Sequence, residues 1–484
     1  MRQASAPDPK HRAARTSSSR LNLAPSGPVL MPSVPSCVAD GSKCIRAFRE
    51  EAAVRVQTWM AWSIVLSVMV AVPVRVALAE KQSSCLTISR ATLVPCALAA
   101  GLAIRREHRD KEVRDARVVA ARRLVPSNPV LSGSLAHREA AGTNLAATNW
   151  TASLSQEFEL AGQRGARLRA ADGEVLAQRW RIAATERETA AYAWLAYFEV
   201  VAAREELVLA ERLEQSAKLM AKAARARADQ GLLSEVDADV VEATLVRIQQ
   251  SRVQATARLR SSQSMLTTIT GGDPSAPQAQ VVQGDLSPLA GVDALSQSAI
   301  DRIKRGRPEV QALREEERAF EARASLYRRA RVPNPTVSLF AQNDGYNERV
   351  YGVGLAFPIP LPAIGRTYAG EIAEAEAEAR RTSTERERIA RDAGLELVRA
   401  AQDLEAKKEE LALFTDERAA KAERALIDIV KEIEGGRLSV RDAVVAQDRL
   451  IELLRAKIDV KHSLCVASVT LSRTAGVPLE RGAR

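Results

Sequence analysis

The chain has 484 residues, more than one ordinary domain needs. Aromatics make up only 4%, and a composition led by Ala, Glu, Arg and Leu favours long helices or coiled coils. Of the net charge of +10, residues 1–79 hold +6 (ten Lys/Arg against four acids), and the remaining 405 residues carry +4 interspersed with acids, as on a solvated helix, so no nucleic-acid partner is expected. Four His and five Cys show no metal-ligand spacing, and GxSxG, P-loop and HExxH patterns are absent, so neither an enzyme nor a cofactor is expected.

Residues 1–50 are rich in Ser, Pro, Ala and Arg without any period, a composition of disorder. The apolar run Ala61–Val72 is about 12 residues, short of the roughly 20 that a membrane-spanning helix needs. Pro73, Arg75 and then Ala77-Leu78-Ala79 before Glu80 follow it, with Arg46, Arg49 and Arg55 upstream. This is the layout of a secretory signal with an A-x-A cleavage site, a buried apolar helix being the alternative. Its depth in the chain puts the translation start nearer Val54 or Met60, and residues 1–79 are excluded from the fold. Cys85 follows, but no Leu stands three residues before it, as a lipoprotein pattern requires. Cys85 and Cys96 are open to two readings, a disulfide in an oxidising compartment or two unpaired small core residues.

From Trp150 the period is two: Trp150, Ala152, Leu154, Phe158 and Leu160 alternate with Thr151, Ser153, Ser155, Glu157 and Glu159. The same happens from Val350, where Tyr351, Val353, Leu355, Phe357 and Ile359 alternate with Gly352, Gly354, Ala356 and Pro358. Each copy holds two strands of about 10 residues, one face apolar with aromatics and the other small or polar. That length suits a tilted membrane-crossing strand, although a half-buried sheet of a soluble domain alternates in the same way. Four strands cannot close a barrel, and an open edge in lipid leaves amides unpaired at several kcal/mol each, so membrane strands here require an oligomer. Three copies give twelve strands.

Between the strand regions the chain reads as helix, without proline, from about 166 to 229 and again from about 369 to 434. Each run is about 95 Å long at 1.5 Å per residue. Each ends in a glycine turn, followed by Ser234 or Ser439 as N-cap and by Asp237 or Asp442 three residues on. A returning arm from Ser234 stops at Gly271-Gly272-Asp273-Pro274, and a second short arm spans about 294–331. Val444, Ile451, Leu454 and Ile458 step by 7, 3 and 4, the seam of a packed helix.

These features repeat. Asn128-Pro129 and Asn334-Pro335 are 206 residues apart, while Gly231 and Gly436, Leu233 and Leu438, Ser234 and Ser439, and Asp237 and Asp442 are each 205 apart. Two unrelated landmarks at one offset, within a residue, mark an internal duplication. The organisation expected is a first repeat over 80–270, a linker over 271–293, a second repeat over 294–478 and a tail over 479–484.

Two repeats, each with a β-hairpin, a very long helix, a Gly-Leu turn and a returning helix, resemble the TolC-like outer membrane efflux proteins over about residues 100–478. "VPNPTVSLF", "GLAFPIPLP", "FELAGQRGAR" and the turns "GLLSEVD" and "GGRLSVRD" carry the likeness. "FELAGQRGAR" is especially similar to the heavy-metal resistance branch. The resemblance implies a mainly α fold with a small β part: long antiparallel helices forming a tunnel, and four strands per chain contributed to a trimeric transmembrane barrel. It implies a homotrimer in outer membrane lipid that acts as a passive exit duct for an inner-membrane pump, joined through a periplasmic adaptor. By position the adaptor would meet Gly231, Leu232, Leu233, Ser234 and Asp237 at one tip, and Gly436, Leu438, Ser439 and Asp442 at the other. Lipid would meet Trp150, Leu154, Phe158, Tyr351, Val353, Leu355 and Phe357, with Thr151, Ser153, Ser155 and Glu157 toward the lumen. One stretch departs from the family pattern: "AIRREHRDKEVRDARVVAARR" from Ala103 is unusually basic, and Pro95 breaks what precedes it.

The rival readings are a periplasmic adaptor and a soluble coiled-coil scaffold. An adaptor has one helical hairpin between two Gly-rich halves, and a scaffold has no use for strand pairs repeated at a fixed offset.

Overall fold

A computed structural model describes residues 85–139, 146–277, 280–289, 297–343, 348–359 and 365–476, all within the unit Lys81–Arg484. The signal-like segment, the residues before it and the tail lie outside the described residues, as do residues 344–347.

A two-residue strand β1 (Thr87–Ile88) precedes α1 (Leu93–Ala100) and α2 (Leu102–Ala121). A hairpin of β2 (Val130–Glu139) and β3 (Ala146–Glu157) leads into the 67-residue α3 (Gln163–Asp229), and the chain returns along α4 (Glu235–Ile269). After β4 (Val281–Val282) come α5 (Gln297–Gly306), α6 (Pro308–Ala330) and a second hairpin, β5 (Thr336–Asn343) and β6 (Arg349–Ala356). The chain ends in α7 (Ala369–Ala412), α8 (Asp416–Glu434) and α9 (Val440–Ala475). At 1.5 Å per residue α3 is about 100 Å long. It is the spine, packing against α1, α2, α4, α6, α8 and α9, while α7 lies on α6 and α9. Its buried face is mostly alanine, which lets neighbouring helices approach closely.

The core runs along the bundle as successive clusters. At the waist Trp194, Tyr197 and Phe198 are fully buried, with Trp194 stacked on Phe198 at 5.5 Å and Tyr197 edge-on to both. Further along, Leu213, Ile248, Leu426, Ile451 and Leu454 form a second cluster, and Met220, Val241, Ile429, Ile433 and Val440 a third near the turns. In the expected α9 seam Ile451 and Leu454 are buried, and Val444 and Ile458 pack half-buried against neighbouring clusters.

Three sequence expectations are corrected. The second long helix is not continuous: it breaks at Leu413–Thr415. Thr415 takes extended backbone (φ −65°, ψ 151°) and its side chain accepts from the Arg418 amide at 3.3 Å, with Asp416 and Glu417 in the first turn of α8. Pro95 does not interrupt α1. It is the third residue of that helix, where an amide has no intrahelical partner to lose, and the break falls at Gly101 instead.

The basic helix α2 is also not left without counter-charge, because α3 supplies Glu174 and pairs within the helix supply Glu112 and Asp115. Glu174 of α3 accepts from Arg117 at 3.0 Å and from Arg323 of α6 at 2.5 Å, with Arg114 at 3.5 Å. The buried Gln178 amide donates to Glu107 Oε2 at 2.7 Å and accepts from Arg114 Nε at 3.2 Å. Glu174 is therefore the hub joining three helices, and removing it leaves the mostly buried Arg114 and the more exposed Arg117 and Arg323 without this anion. Glu174→Ala should cost about 2–3 kcal/mol. Thermal unfolding of the detergent-solubilised protein should show a midpoint several degrees lower, and an unchanged midpoint would remove the hub role.

Candidate functional site: an open sheet and two glycine turns

The two hairpins join in one antiparallel sheet of order β2-β3-β5-β6. Leu131, Leu154, Leu339 and Val353 form one cross-strand row, and Gly133, Ala152, Ala341 and Tyr351 another on the same face. Trp150 opposite Leu135, and Leu355 opposite Val337, extend this apolar face. It is open: Leu131 is 78% exposed, Leu339 56% and Val353 72%. Contiguous exposed apolar surface of this kind marks a membrane or partner contact.

The other face carries Ser132, Ser153, Phe340 and Gly352 in one row, and Val130, Ser155, Ser338 and Gly354 in the next. Ser132 and Ser153 share a hydroxyl–hydroxyl bond of 2.7 Å. Thr151 and Glu157 lie on this face too. Phe340 was not expected there. Its ring lies over Gly352, where a Cβ would stand 2.3 Å from Cζ, so only glycine makes room for it. The strands are 10, 12, 8 and 8 residues long. Phe158 and Phe357, nominated as strand residues, fall just past the ends of β3 and β6. The Phe158 amide still bonds Pro335 O at 2.9 Å, one rung beyond the ladder.

β2 and β6 are edges in a single chain, and neither contains the Pro or Lys that usually blunts an edge.

At the far end of α3 the two turns have the same construction. Gly231 and Gly436 both have φ 69°. Leu232 N bonds Arg227 O and Gly231 N bonds Ala228 O, each at 2.9 Å; Arg437 N bonds Glu432 O at 2.9 Å and Gly436 N bonds Ile433 O at 3.0 Å. Both are Schellman caps, which require a left-handed residue at the glycine position. Ser439 caps α9, accepting from the Asp442 amide at 3.1 Å and bonding Asp442 Oδ2 at 2.6 Å. Ser234 has the same extended backbone but makes no side-chain cap.

Leu232 is 60% exposed, whereas Leu233 and Leu438 are half-buried against the turn cluster with Ile433 and Val440. Leu438 and Leu233 therefore take part in the packing of the turn, whereas Leu232 does not. The positional counterpart of Leu232 is Arg437, held by Glu432 at 2.7 Å.

Arg227 ties the two turns together, donating to Glu434 O at 2.9 Å, with its guanidinium 2.8 Å from the place a Gly436 Cβ would take. Around Gly231 that space is empty. Gly231→Ala should cost about 1–2 kcal/mol from backbone strain alone, and Gly436→Ala more, because Arg227 must also move. In an Arg227→Ala background the two should become equal in unfolding midpoint, and an unchanged difference would exclude Arg227 as its cause.

No helix among the described residues is long and apolar enough to cross a membrane, and no group of three or more His, Cys, Asp or Glu there could hold a metal ion.

A mainly helical chain with one helix about 100 Å long and a four-stranded antiparallel sheet at its start has the fold of solved outer-membrane channels. Solved structures agree. The Campylobacter jejuni CmeC outer membrane channel superposes with TM-score 0.68 at 16% identity, over 80% of this chain and 85% of that one. The outer membrane protein VceC from Vibrio cholerae superposes with TM-score 0.65 at 16% identity, over 80% and 96%. Residues 96–272 match the outer membrane efflux protein family. A curated relative, the cobalt-zinc-cadmium resistance protein CzcC of Cupriavidus metallidurans, is 29% identical over 212 residues, 44% of this chain; the chain spans about half the length of that relative.

Proposed function

We propose that this protein is the outer membrane exit duct of a tripartite efflux system. Three copies close their four-stranded sheets into one twelve-stranded barrel, and their helices continue it as a tunnel through the periplasm. The observation that carries this reading is the sheet, which has an exposed apolar face, a face of small and polar residues, and two edges unpaired within one chain. In lipid those edges must pair, and β6 of one copy and β2 of the next are antiparallel, as a closed barrel requires. Trp150 and Tyr351 toward one end of the apolar face, and Phe158 and Phe357 at the other, suit the aromatic girdles of such a barrel. Trp150 to Phe158 is roughly 27 Å along the strand, near 20 Å when tilted, comparable with an apolar band of about 25 Å.

The duct passes cargo without chemistry of its own. An inner-membrane pump supplies the work, and a periplasmic adaptor meets the turns at Leu232 and its surroundings. The name of the curated relative supports divalent metal cations as cargo. The test is gel migration of unheated and heated detergent-extracted membranes, with metal tolerance measured in a strain lacking the gene. An SDS-resistant trimer that dissociates on heating, together with loss of tolerance, is expected; a heat-indifferent monomer would contradict the duct.

A further inference from the structure

Residues 280–289, between the two repeats, do not hang free. Tyr197 Oη donates to Gln283 O at 2.8 Å, Arg204 Nη1 to Val282 O at 2.9 Å, and Leu289 N to Ser468 Oγ at 2.9 Å, so the segment is strapped across α3 and α9. Its other side is held by the segment around β1. Val281 N and Gln283 N bond Leu86 O and Ile88 O, each at 2.9 Å, and Gln280 Nε2 donates to Cys85 O at 3.0 Å. A parallel pair of two residues has no stability of its own. Besides the burial of Ile88, a covalent bond ties this segment down: Cys85 is joined to Cys96 in the first turn of α1. Within the closed loop Ile88 and Leu93 are fully buried, and Arg90 lies over Trp194 and Phe198 at 5.9 and 5.6 Å while donating to Ser287 O.

We propose that the Cys85–Cys96 disulfide is an oxidative clasp that fastens the connection between the repeats to the waist of the helix bundle. Once the chain reaches an oxidising compartment, the two thiols lose two electrons and two protons to the disulfide of a more oxidising protein. One S–S bond forms in this chain as the partner's S–S bond breaks, and the partner leaves as a dithiol. The third cysteine of this core does not compete. Cys465 is fully buried, and burial pushes its thiol up to about 12. The clasp concerns the waist alone and stands whether or not the protein exports anything.

The experiment uses the purified full chain in detergent. Before reduction, Cys85 and Cys96 should resist alkylation and their peptides should be linked. Reduction with a phosphine should speed hydrogen exchange at the Val281 and Gln283 amides about a hundredfold, the loss expected on opening a loop of this size. Exchange at the strands and glycine turns should not change. Cys85→Ser/Cys96→Ser should reproduce the reduced pattern, and if that variant does not accumulate, reduction of the folded protein decides alone. Free thiols at Cys85 and Cys96, an acyl group on Cys85, or equal exchange before and after reduction would each overturn the clasp. Acceleration throughout the chain would also overturn it, since the bond would then hold the whole fold and not the strap.

Discussion

Val353→Arg should remove most of the assembled trimer from the outer membrane, while Ser153→Arg should leave most of it. Both sites lie in the middle of the sheet, in adjacent rows on opposite faces. Val353 is 72% exposed in the row Leu131-Leu154-Leu339-Val353, and in a closed barrel that face meets hydrocarbon. An arginine near the bilayer midplane costs roughly 2–4 kcal/mol, about 30- to 1,000-fold in the assembly equilibrium, and three copies carry the defect. Ser153 faces the other way, beside Ser132. An arginine there reaches water in the lumen and loses one hydroxyl contact, at about 1 kcal/mol. Gly354 is a poor control for this comparison, since any Cβ there would stand 2.4 Å from Ser338 Oγ and confound polarity with crowding. The readout is the fraction of SDS-resistant trimer in membranes. Equal losses from Val353→Arg and Ser153→Arg would reverse or void the assignment of faces.

The second large effect is expected at the turn. Leu232→Glu should leave trimer level unchanged and abolish export. Leu232 is exposed, and its backbone conformation is set by Gly231 and the Schellman bonds rather than by its side chain. A glutamate there costs the free protein little, but a partner surface closing over it must desolvate the charge. Leu438→Glu should behave differently, because its half-buried side chain packs against the cluster of Ile433 and Val440, and a partly desolvated carboxylate there costs about 1–2 kcal/mol of turn stability. Measuring trimer and metal tolerance together separates the two. Full tolerance with Leu232→Glu would take the turn out of the partner contact, and lost trimer would make Leu232 a core residue.

The helices and glycine turns were readable because their signals are local and occur twice. A proline-free amphipathic run and a glycine closing it need no knowledge of distant residues, and the offset of 205 fixed both turns together. The break at Leu413–Thr415 carried a local signal as well, Thr415 followed by Asp416 and Glu417, but its first-repeat counterpart is continuous helix, and reading by repeat concealed it. What stayed hidden depends on distant partners. The basic α2 looks anomalous until Glu174, 57 residues beyond Arg117, supplies its counter-charge. Phe340 follows the period of two, but its place on the small-residue face makes sense only once Gly352 is opposite. β1 and β4 have too few residues to show any period, and the Cys85–Cys96 bond beside β1 was one of two readings open in the sequence. At the glycine turns the ambiguity was of depth. Leu232, Leu233 and Leu438 are the same residue type within one motif, and only packing against the cluster of Ile433 and Val440 separates the half-buried two from the exposed one.

The central claim is that the open sheet closes through copies of itself, β6 of one chain against β2 of the next. Disulfide trapping tests it most directly: Leu135→Cys in β2, combined in turn with Tyr351→Cys, Val353→Cys or Leu355→Cys in β6, oxidised in membranes and run boiled without reductant. A covalent trimer as the end point for at least one pairing, with nothing larger, is the predicted result. Monomer for every pairing, or a ladder continuing beyond three, would contradict a closed barrel of three chains.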